Sequence, residues 1–413
     1  MRRSIALALF APSLVATLAS CSPTHPCETT ISKGPWAQRV DDSRATIRWE
    51  SLAPGCVEAA LSIESPSAPA KETIVKGAPT ETHVVASWGV GQLPQPDLAG
   101  TYFKNEIALD GLQPNTCYRY RVRSTGKFSG DQVGRFCTAR PTGSDVRWFA
   151  VGDTDPILGH TLDAFKLTLP PAGPAPDFVM HLGDIQYYST GTETWAYWFG
   201  VMQPMLRAAA FFPTIGNHEN ENSGSEYDDY YSRLFLPASF DDGDQRWYHF
   251  ESGGVYFFSL DTEEDLSAGS PQVQWIESNL MLAQRSPGFR FSVVFMHRPF
   301  YTLGDTDPQV DARLVLQPIF GATGVKLVVA GHMHGYERFE TPDGLTWITC
   351  AGGGGAIGDV NMNVANYPAD APYRVAVSDH YHDCLFDVTA GQLSSTVIDE
   401  FGATIDQWSK PVP

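Results

Sequence analysis

The stretch D-F-V-M-H-L-G-D-I-Q-Y, residues 177–187, joins an apolar run directly to a polar block. Such runs are typical of the buried central strands of an α/β domain, and Gly183 gives the backbone room to turn where the strand ends. Asp184 and Tyr187 would then project from the edge of a sheet. Ligands usually bind at the carboxyl ends of such strands, so this edge is the predicted site.

The same arrangement recurs along the chain. Further apolar runs, each predicted to be a buried strand, lie at 146–151, 211–215, 291–296 and 325–330. They are followed by polar blocks, which are G-D-T-D at 152–155, G-N-H-E at 216–219, His297, and G-H-M-H at 331–334. Together the five blocks offer seven oxygen or imidazole donors: Asp153, Asp184, Tyr187, Asn217, His297, His332 and His334. This supply suits two ions, and two adjacent cations indicate hydrolysis of a phosphate ester.

Taken singly, each of these residues has an ordinary explanation. An aspartate after a strand is most often a turn or cap residue, and a lone histidine is usually structural. The repetition of the Gly-Asp block and the H-x-H spacing of His332 and His334 favour metal ligands instead. An extended backbone would put both histidines on one face, whereas a turn would aim them at two adjacent ions. His218 follows Asn217 directly, and its side chain is therefore expected to point elsewhere.

Helical spacing of apolar residues predicts helices over 193–209 and 271–285. Strands that alternate with helices indicate a layered α/β domain. Residues 246–260 are typical of a β-hairpin. Further strands are predicted at 345–350, 373–377, 382–388 and 394–398, and we expect them to form a second sheet.

Residues 33–141 have an all-strand pattern. Short alternating segments separated by turn residues predict strands at 44–50, 57–63, 71–75 and 118–123. This spacing indicates a β-sandwich. The segment L-Q-P-N-T-C-Y-R-Y-R-V, 112–122, resembles the tyrosine corner of fibronectin type III domains, with Tyr118 as the corner residue. Nothing in this region is typical of catalysis, so we interpret it as a spacer or packing partner.

The set of motifs after residue 145 resembles the metallophosphoesterase superfamily and, within it, the purple acid phosphatases. Tyr187 is the discriminating residue, because G-D-x-x-Y in that family supplies a tyrosinate to a ferric ion. The resemblance covers residues 145–400 approximately. It implies an α/β/β/α layered sandwich over 142–413, preceded by a separate all-β domain of the fibronectin type III kind.

The resemblance also implies a set of ligands. The ferric ion would be bound by Asp153, Asp184, Tyr187 and His334. A divalent ion, Zn, Fe or Mn, would be bound by Asn217, His297 and His332, with Asp184 as the bridge. Carboxylate and phenolate oxygens suit the hard Fe(III) ion, whereas the amide and imidazoles suit the divalent metals.

The implied reaction is cleavage of phosphate monoesters by attack of a metal-bound hydroxide. Asp184 and His218 are the predicted catalytic residues. His218 would contact the phosphoryl group or protonate the leaving oxygen, although ordering of its own loop is an alternative role.

Two features depart from the family pattern. The first block is usually D-x-G, but here it is Asp153-Thr154-Asp155, so an additional carboxylate lies near the predicted ferric ion. Residues 298–312 contain no histidine, where plant members carry additional substrate-binding histidines. We therefore expect Arg298 or Tyr301 to bind phosphate together with Asn217 and His218.

The N-terminus is typical of an export signal. Residues 1–20 combine basic Arg2 and Arg3 with apolar stretches, and L-A-S-C at 18–21 resembles the lipobox of bacterial lipoproteins. Cys21 is the predicted lipid anchor, and residues 21–32 are the predicted tether. The predicted location is the cell envelope, on its periplasmic or extracellular face. The alternative is plain secretion with Cys21 free or disulfide-bonded. Beyond this lipid, no later run approaches the length of a membrane span.

The net charge limits the ligands that the protein can bind, and the cysteine count indicates disulfides. The formal net charge of −19 disfavours nucleic acid and is compatible with a small phosphate ester attracted by metal ions, although solubility alone explains much of the acidity. Seven cysteines fit one lipidated residue and three disulfides. We expect Cys350 to pair with Cys384. Neighbouring strands suggest Cys117 with Cys137, which leaves Cys27 and Cys56.

Two rival functions remain open at this stage. The same site would also serve a phosphodiesterase. A surface-binding protein with a decayed enzyme domain is a less favoured alternative, because all seven donors are present.

Overall fold

The computed structural model of the protein describes residues 30–64, 71–85, 100–124, 127–156, 158, 160, 162–168, 174–187, 194–220, 231–235 and 246–413. The expected signal peptide (1–20), Cys21, Cys27 and most of the expected tether (21–32) lie outside these residues. In the part of the chain that the structure describes, no helix is long and apolar enough to cross a membrane.

The described residues between 30 and 137 form eight strands, which we call the N-terminal sandwich. They are β1 (Ile31–Gln38), β2 (Ala45–Ser51), β3 (Glu58–Ile63), β4 (Thr73–Lys76), β5 (Ala78–Val85), β6 (Gly100–Leu109), β7 (Cys117–Ser124) and β8 (Lys127–Cys137). Antiparallel pairing gives two four-stranded sheets, β1-β2-β6-β5 and β4-β3-β7-β8. This order is that of an immunoglobulin-like sandwich with one additional edge strand.

Tyr118 makes the hydrogen bond that defines a tyrosine corner. The backbone amide of Gln113 donates to its hydroxyl oxygen at 2.8 Å. The ring is buried and stacks on Phe136, with 5.4 Å between the ring centroids. The expected disulfide between Cys117 and Cys137 is confirmed, and it joins β7 to β8.

The C-terminal unit (residues 146–413) contains the other elements. The strands are β9 (Val146–Val151), β10 (Phe178–His181), β11 (Ala210–Pro213), β12 (Tyr248–Ser252), β13 (Val255–Ser259), β14 (Phe291–Met296), β15 (Val325–Ala330), β16 (Tyr336–Glu340), β17 (Thr346–Cys350), β18 (Arg374–Ser378), β19 (His382–Thr389), β20 (Gln392–Asp399) and β21 (Thr404–Pro411). The helices are α1 (Asp163–Thr168), α2 (Thr194–Leu206), α3 (Ser232–Leu234), α4 (Pro271–Gln284) and α5 (Val310–Ala322).

Two mixed sheets are the centre of this unit. One has the order β11-β10-β9-β19-β20-β21, and the other β12-β13-β14-β15-β17-β16-β18. In the first sheet β10 pairs parallel with both β9 and β11. In the second sheet the parallel pairs are β13 with β14, β14 with β15, and β15 with β17. The other strands pair antiparallel with their neighbours. Because parallel strands end at the same edge, the loops that follow them meet there.

Side-chain alternation produces four layers. In β9, Trp148 and Ala150 pack into the core between the two sheets, whereas Phe149 and Val151 pack in the core that includes residues of α2. On the other side, residues of α4 and α5 share a third core with the outer face of the second sheet. This is the layered α/β arrangement that was expected.

Two expectations about this unit were incomplete. The segments 382–388 and 394–398 form strands, but they extend the sheet of β9 and do not join 345–350 and 373–377, which belong to the other sheet. Helix α5 was not predicted, and it contains Pro318. The expected Cys350–Cys384 disulfide is confirmed, and it links β17 of one sheet to β19 of the other through the buried core.

The N-terminal sandwich packs closely on the C-terminal unit. Trp36 of β1 lies in the apolar core beside α2, with its ring centroid 4.6 Å from that of Phe199. The guanidinium group of Arg48 donates to the carbonyl oxygens of Arg233 and Leu234 at 3.1 and 2.9 Å. The sandwich therefore completes the core of the unit that carries the predicted site.

A buried ion cluster reinforces this contact. The Glu50 carboxylate pairs with Lys33 on the neighbouring strand and with Arg233 of α3, and the side chains of Lys33 and Glu50 are fully buried. We call these three residues the interface trio. Because one carboxylate serves two cations, the trio ties the sandwich to the C-terminal unit through charge as well as packing.

Candidate metal centre

The predicted ligands come from loops at the carboxyl ends of five strands. Asp153 follows β9, Asp184 and Tyr187 follow β10, and Asn217 follows β11, all in one sheet. His297 follows β14, and the H-x-H pair follows β15 of the other sheet. The two sheets therefore each contribute to one edge, and the loops assemble the residues in two groups.

The first group joins a phenol, a carboxylate and an imidazole. The Tyr187 hydroxyl lies 3.1 Å from Asp153 Oδ1 and 2.8 Å from His334 Nε2. His334 Nε2 is 3.3 Å from the same carboxylate oxygen. On the far side of the ring, His334 Nδ1 lies 2.8 Å from the carbonyl oxygen of Ala356. Donation to this carbonyl fixes a proton on Nδ1 and leaves Nε2 as the nitrogen that faces the group.

The second group is centred on His297 Nε2. Around this atom lie Asn217 Oδ1 at 3.0 Å, His332 Nδ1 at 3.1 Å and Asp184 Oδ1 at 3.2 Å. His297 Nδ1 is 2.8 Å from the carbonyl oxygen of Leu182, which again leaves Nε2 facing the group. Asp184, His297 and His332 thus form a compact set of possible ligands.

The spacing and chemistry of both groups fit metal ions. Donor atoms that lie about 2.0–2.1 Å from one ion are separated from each other by roughly 3 Å, and the contacts above have this length. The converging atoms are carboxylate, amide and phenol oxygens with imidazole nitrogens, which are the usual ligands of iron and zinc. Most of these atoms are acceptors, so a cation would relieve their mutual repulsion.

Charge among these residues has strong effects on proton binding. Burial would lower the pKa of His297, but the Asp184 carboxylate raises it to about 10. Burial likewise opposes protonation of His334, yet Asp153 raises its pKa to about 9. In contrast, burial together with His297 and Arg298 lowers the pKa of His332 to about 2. The carboxylates therefore attract positive charge to the neighbouring imidazoles.

The loop backbones are bent at the ligands themselves. Asp153, Asp184 and His332 have φ values of 61°, 48° and 71°, which lie in the left-handed region that non-glycine residues seldom adopt. The bend at His332 starts a turn, and this turn sends His332 to the second group and His334 to the first. Backbone strain of this kind is concentrated at functional sites.

Glycines before the ligands permit close approach of the loops. A Cβ atom on Gly216 would lie 2.2 Å from Asp184 Oδ1, and one on Gly331 would lie 2.6 Å from Asp153 Oδ2. A side chain at either position would therefore displace a predicted ligand.

Comparison with known proteins agrees with this site. The calcineurin-like phosphoesterase family matches residues 147–336. The chain is 26% identical over 329 residues to probable purple acid phosphatase 20 of Arabidopsis thaliana, which is 77% of this chain and 70% of the plant protein. The fold resembles purple acid phosphatase PPD1 from yellow lupin seeds, with a TM-score of 0.70 over 91% of this chain and 74% of the lupin chain at 16% identity.

The chain is thus similar to calcineurin-like phosphoesterases over residues 147–336 and to plant purple acid phosphatases over a longer stretch. It is also 28% identical over 267 residues to an uncharacterized protein of Mycobacterium tuberculosis, which is 57% of this chain but half the length of the mycobacterial protein. The solved structure of PhoD has a similar fold, with a TM-score of 0.61 over 91% of this chain and 92% of that chain at 14% identity.

Glu219 lies at the site, and the sequence suggested no role for it. Its buried carboxylate accepts the backbone amides of Asp184, Ile185 and Gly216 at 2.9, 2.8 and 2.8 Å. Burial and the Asp184 charge raise its pKa to about 8. It therefore holds the loop after β10 against the loop after β11. Glu219 is the last residue of the G-N-H-E block, but the sequence does not reveal that its side chain is buried.

His218 lies beside the two groups and does not point away from them. Its ring centroid is 4.4 Å from that of Tyr187, and its Nε2 atom is 3.7 Å from Asp184 Oδ2. Asp155, the additional carboxylate of the first block, is buried, with 6% of its surface exposed. Asp155 is therefore not exposed to solvent.

The two expected substitutes for the missing histidines have different positions. Arg298 Nη1 lies 2.9 Å from His332 Nε2, and its guanidinium also contacts Glu263 through Nε at 2.6 Å and Nη2 at 3.2 Å. Tyr301 packs in the core with Phe339 and Trp347, and its hydroxyl donates to Gln317 at 2.9 Å. The expectation that Tyr301 binds substrate was wrong, because its ring packs in the core and its hydroxyl is bound to Gln317.

The site opens into a small cavity. Its volume is about 220 Å³, and its lining comprises Asp184, Tyr187, Asn217, His218, Asp305, Thr306, His332 and His334. Six of these eight residues were predicted from the sequence, whereas Asp305 and Thr306 were not.

Proposed function

We propose that this protein hydrolyses phosphate monoesters at a dinuclear metal centre. The observation that carries the proposal is the pair of adjacent donor groups, with contacts of 2.8 to 3.3 Å, at the wall of one cavity. Similarity to plant purple acid phosphatases supports the same chemistry. The chain spans half the length of its mycobacterial relative.

The residues divide into two proposed ion sites. Asp153, Tyr187 and His334 would hold Fe(III), because their oxygens suit a hard ion. Asn217, His297 and His332 would hold Zn, Fe or Mn as the divalent ion, and Asp184 would bridge the two. Bound there, the cations would supply charge neutralisation for the phosphoryl group and acidify a water molecule.

The other residues act on the substrate. Asn217 and His218 lie at the cavity and would orient the phosphoryl oxygens. His218 is also within reach to donate a proton to the leaving oxygen, which makes it the proposed general acid. Arg298, which Glu263 and His332 hold at this edge, would contribute positive charge at a greater distance from phosphorus.

Parallel measurements on the purified full chain test this proposal. We expect two metal equivalents per chain, a broad visible absorption band from Tyr187 on Fe(III), and faster hydrolysis of an aryl monoester than of a bis-aryl diester. Preference for the diester would assign a phosphodiesterase, and a protein that binds no ions under metal-replete conditions would refute both. His218→Ala should keep both metals and reduce turnover roughly 100-fold or more.

We also propose a domain type for the N-terminal sandwich and a cellular location for the protein. The N-terminal sandwich would be a fibronectin type III domain, supported by its strand order and by the Tyr118 corner. The protein would be exported and anchored through lipidated Cys21, and the two disulfides support an oxidising compartment. Mass spectrometry of the mature N-terminus tests the anchor, because an unmodified or differently cleaved terminus would refute it.

A further inference from the structure

Asp305 introduces negative charge into a cavity that is proposed to bind an anion. It lines the cavity together with the predicted ligands, and its side chain is exposed. Among the lining residues that the structure describes, none is a lysine or an arginine. The nearby cation Arg298 is paired with Glu263. Asp305 thus lies beside the space that a leaving group would occupy.

The loop that carries Asp305 is firmly held. The side-chain amide of buried Asn363 donates to the carbonyl oxygens of Gly304 and Thr306 at 2.8 and 3.2 Å, on either side of Asp305. The backbone amide of Leu303 donates to the buried carboxylate of Glu337 at 3.0 Å. The position of Asp305 is therefore fixed by interactions that do not involve its own side chain.

The Asp305 carboxylate also touches the loop that follows His334. A Cβ atom on Gly358 would lie 2.2 Å from Asp305 Oδ2, and the amide of Gly358 donates to the carbonyl oxygen of His334 at 2.9 Å. Asp305 is thus set next to the loop of the predicted first ion site and also lines the cavity. The acidity of the whole chain, with a formal charge of −19, adds to the negative potential.

We propose that Asp305 selects phosphate monoesters whose leaving alcohol carries a cationic ammonium group. This inference rests on the proposed phosphatase function and names its substrate class. The phosphoryl group would bind at the metal ligands, and the ammonium group would pair with Asp305. Leaving groups that carry additional phosphates or carboxylates would be repelled. In the reaction the ester P–O bond breaks, water supplies the new oxygen on phosphorus, and a proton from that water goes to the departing amino alcohol.

The test compares two substrates of the same shape. Phosphocholine has a quaternary ammonium group, and 3,3-dimethylbutyl phosphate is its neutral carbon isostere. With the metal-loaded full chain, we expect kcat/KM to be about fivefold higher for phosphocholine, the size of one exposed ion pair. This ratio should decrease toward one in D305N and as the salt concentration rises.

Asp307 offers a matched control. It lies two residues away in the same loop, does not line the cavity, and accepts a hydrogen bond from Tyr367, which an asparagine can still accept. D307N makes the same change in charge and should retain the wild-type ratio. Equal kcat/KM values for the two substrates in the wild type, or a ratio that persists in D305N, would overturn the inference. If D305N does not fold, a wild-type ratio that is insensitive to salt would also overturn it.

An aryl phosphate monoester separates this inference from the proposed function. Hydrolysis of that ester without discrimination between the two alkyl substrates would refute the role of Asp305 and leave the phosphatase intact. Failure of the metal-loaded protein on every ester would refute the phosphatase, and with it the role of Asp305.

Discussion

Two buried clusters of charge in this protein are built in opposite ways. The interface trio has one carboxylate, Glu50, between two cations, Lys33 and Arg233. The metal centre gathers the buried carboxylates Asp153, Asp184 and Glu219. Among the described residues, their partners are backbone amides, a phenol and histidines. The trio has an excess of cationic side chains, and the other cluster has an excess of carboxylates.

The pKa shifts of two glutamates express this difference. Burial would raise the pKa of Glu50, but Lys33 and Arg233 together lower it. Burial raises the pKa of Glu219, and the Asp184 charge raises it further, to about 8. The same residue type is thus stabilised as an anion in one place and disfavoured in the other. We infer that the trio serves structure, whereas the second cluster serves to bind cations.

Removal of a central carboxylate should have the largest effect. Asp184→Asn is expected to cost at least one metal equivalent and to reduce phosphatase turnover by roughly a thousandfold or more, because it removes the proposed bridge. Elemental analysis and steady-state kinetics measure both quantities. Far-UV circular dichroism should be unchanged. Full metal content with turnover within about tenfold of the wild type would contradict the assignment.

The trio should show the reverse behaviour. Glu50→Gln removes the buried carboxylate that pairs with Lys33 and Arg233, and we expect a loss of about 3–5 kcal/mol in the free energy of unfolding. Urea denaturation measures it, and the metal content of the folded protein should not change. Glu106→Gln is the control, because it removes a carboxylate paired with Arg48 that is 27% exposed, and it should cost less than about 1 kcal/mol. Equal losses in both variants would remove the distinction.

The Glu219→Gln variant tests whether a carboxylate that is not a predicted ligand contributes to metal affinity. Glu219→Gln places an amide group where backbone amides now donate to a carboxylate. Because this carboxylate orients the loops that carry Asp184 and Asn217, we expect Zn²⁺ affinity to decrease about 10- to 100-fold. Isothermal titration calorimetry measures the affinity. An unchanged dissociation constant would show that the loops keep their positions without this carboxylate.

Acid should weaken the trio by a smaller amount. The folded-state pKa of Glu50 is lower than its ordinary value of 4.5, so its contribution to stability is present above that pH and is lost as the pH falls through the folded value. Between pH 6 and pH 3, wild-type stability should therefore decrease more steeply than that of Glu50→Gln. Parallel slopes in thermal unfolding across this range would show that Glu50 is not the group responsible.

Much of the site was predictable from the sequence because each ligand lies directly after a strand that the local pattern identifies. The strands β9, β14 and β15 have the expected bounds, and the residue after each is where a parallel strand delivers its loop. Pairings between distant segments were not predictable. β9 is paired with β19, more than two hundred residues later, and no local pattern identifies this partner.

The residues that sequence reasoning missed act through such distant contacts. The function of Glu219 depends on amides from another loop, and Asp305 reaches the cavity because Asn363 and Glu337 hold its backbone. Tyr301 failed as a substrate residue for the same reason. It follows the predicted ligand His297 by four positions, but its ring packs in the core.

The insertion of Trp36 into the core beside α2 has a consequence for dissection of the protein. A fragment that begins at residue 142 would retain every predicted ligand but would expose the apolar surface that Trp36 covers, and the carbonyl oxygens of Arg233 and Leu234 would lose their donor. We therefore expect the C-terminal unit to be less stable without the N-terminal sandwich, and the protein should be produced and engineered with both parts together.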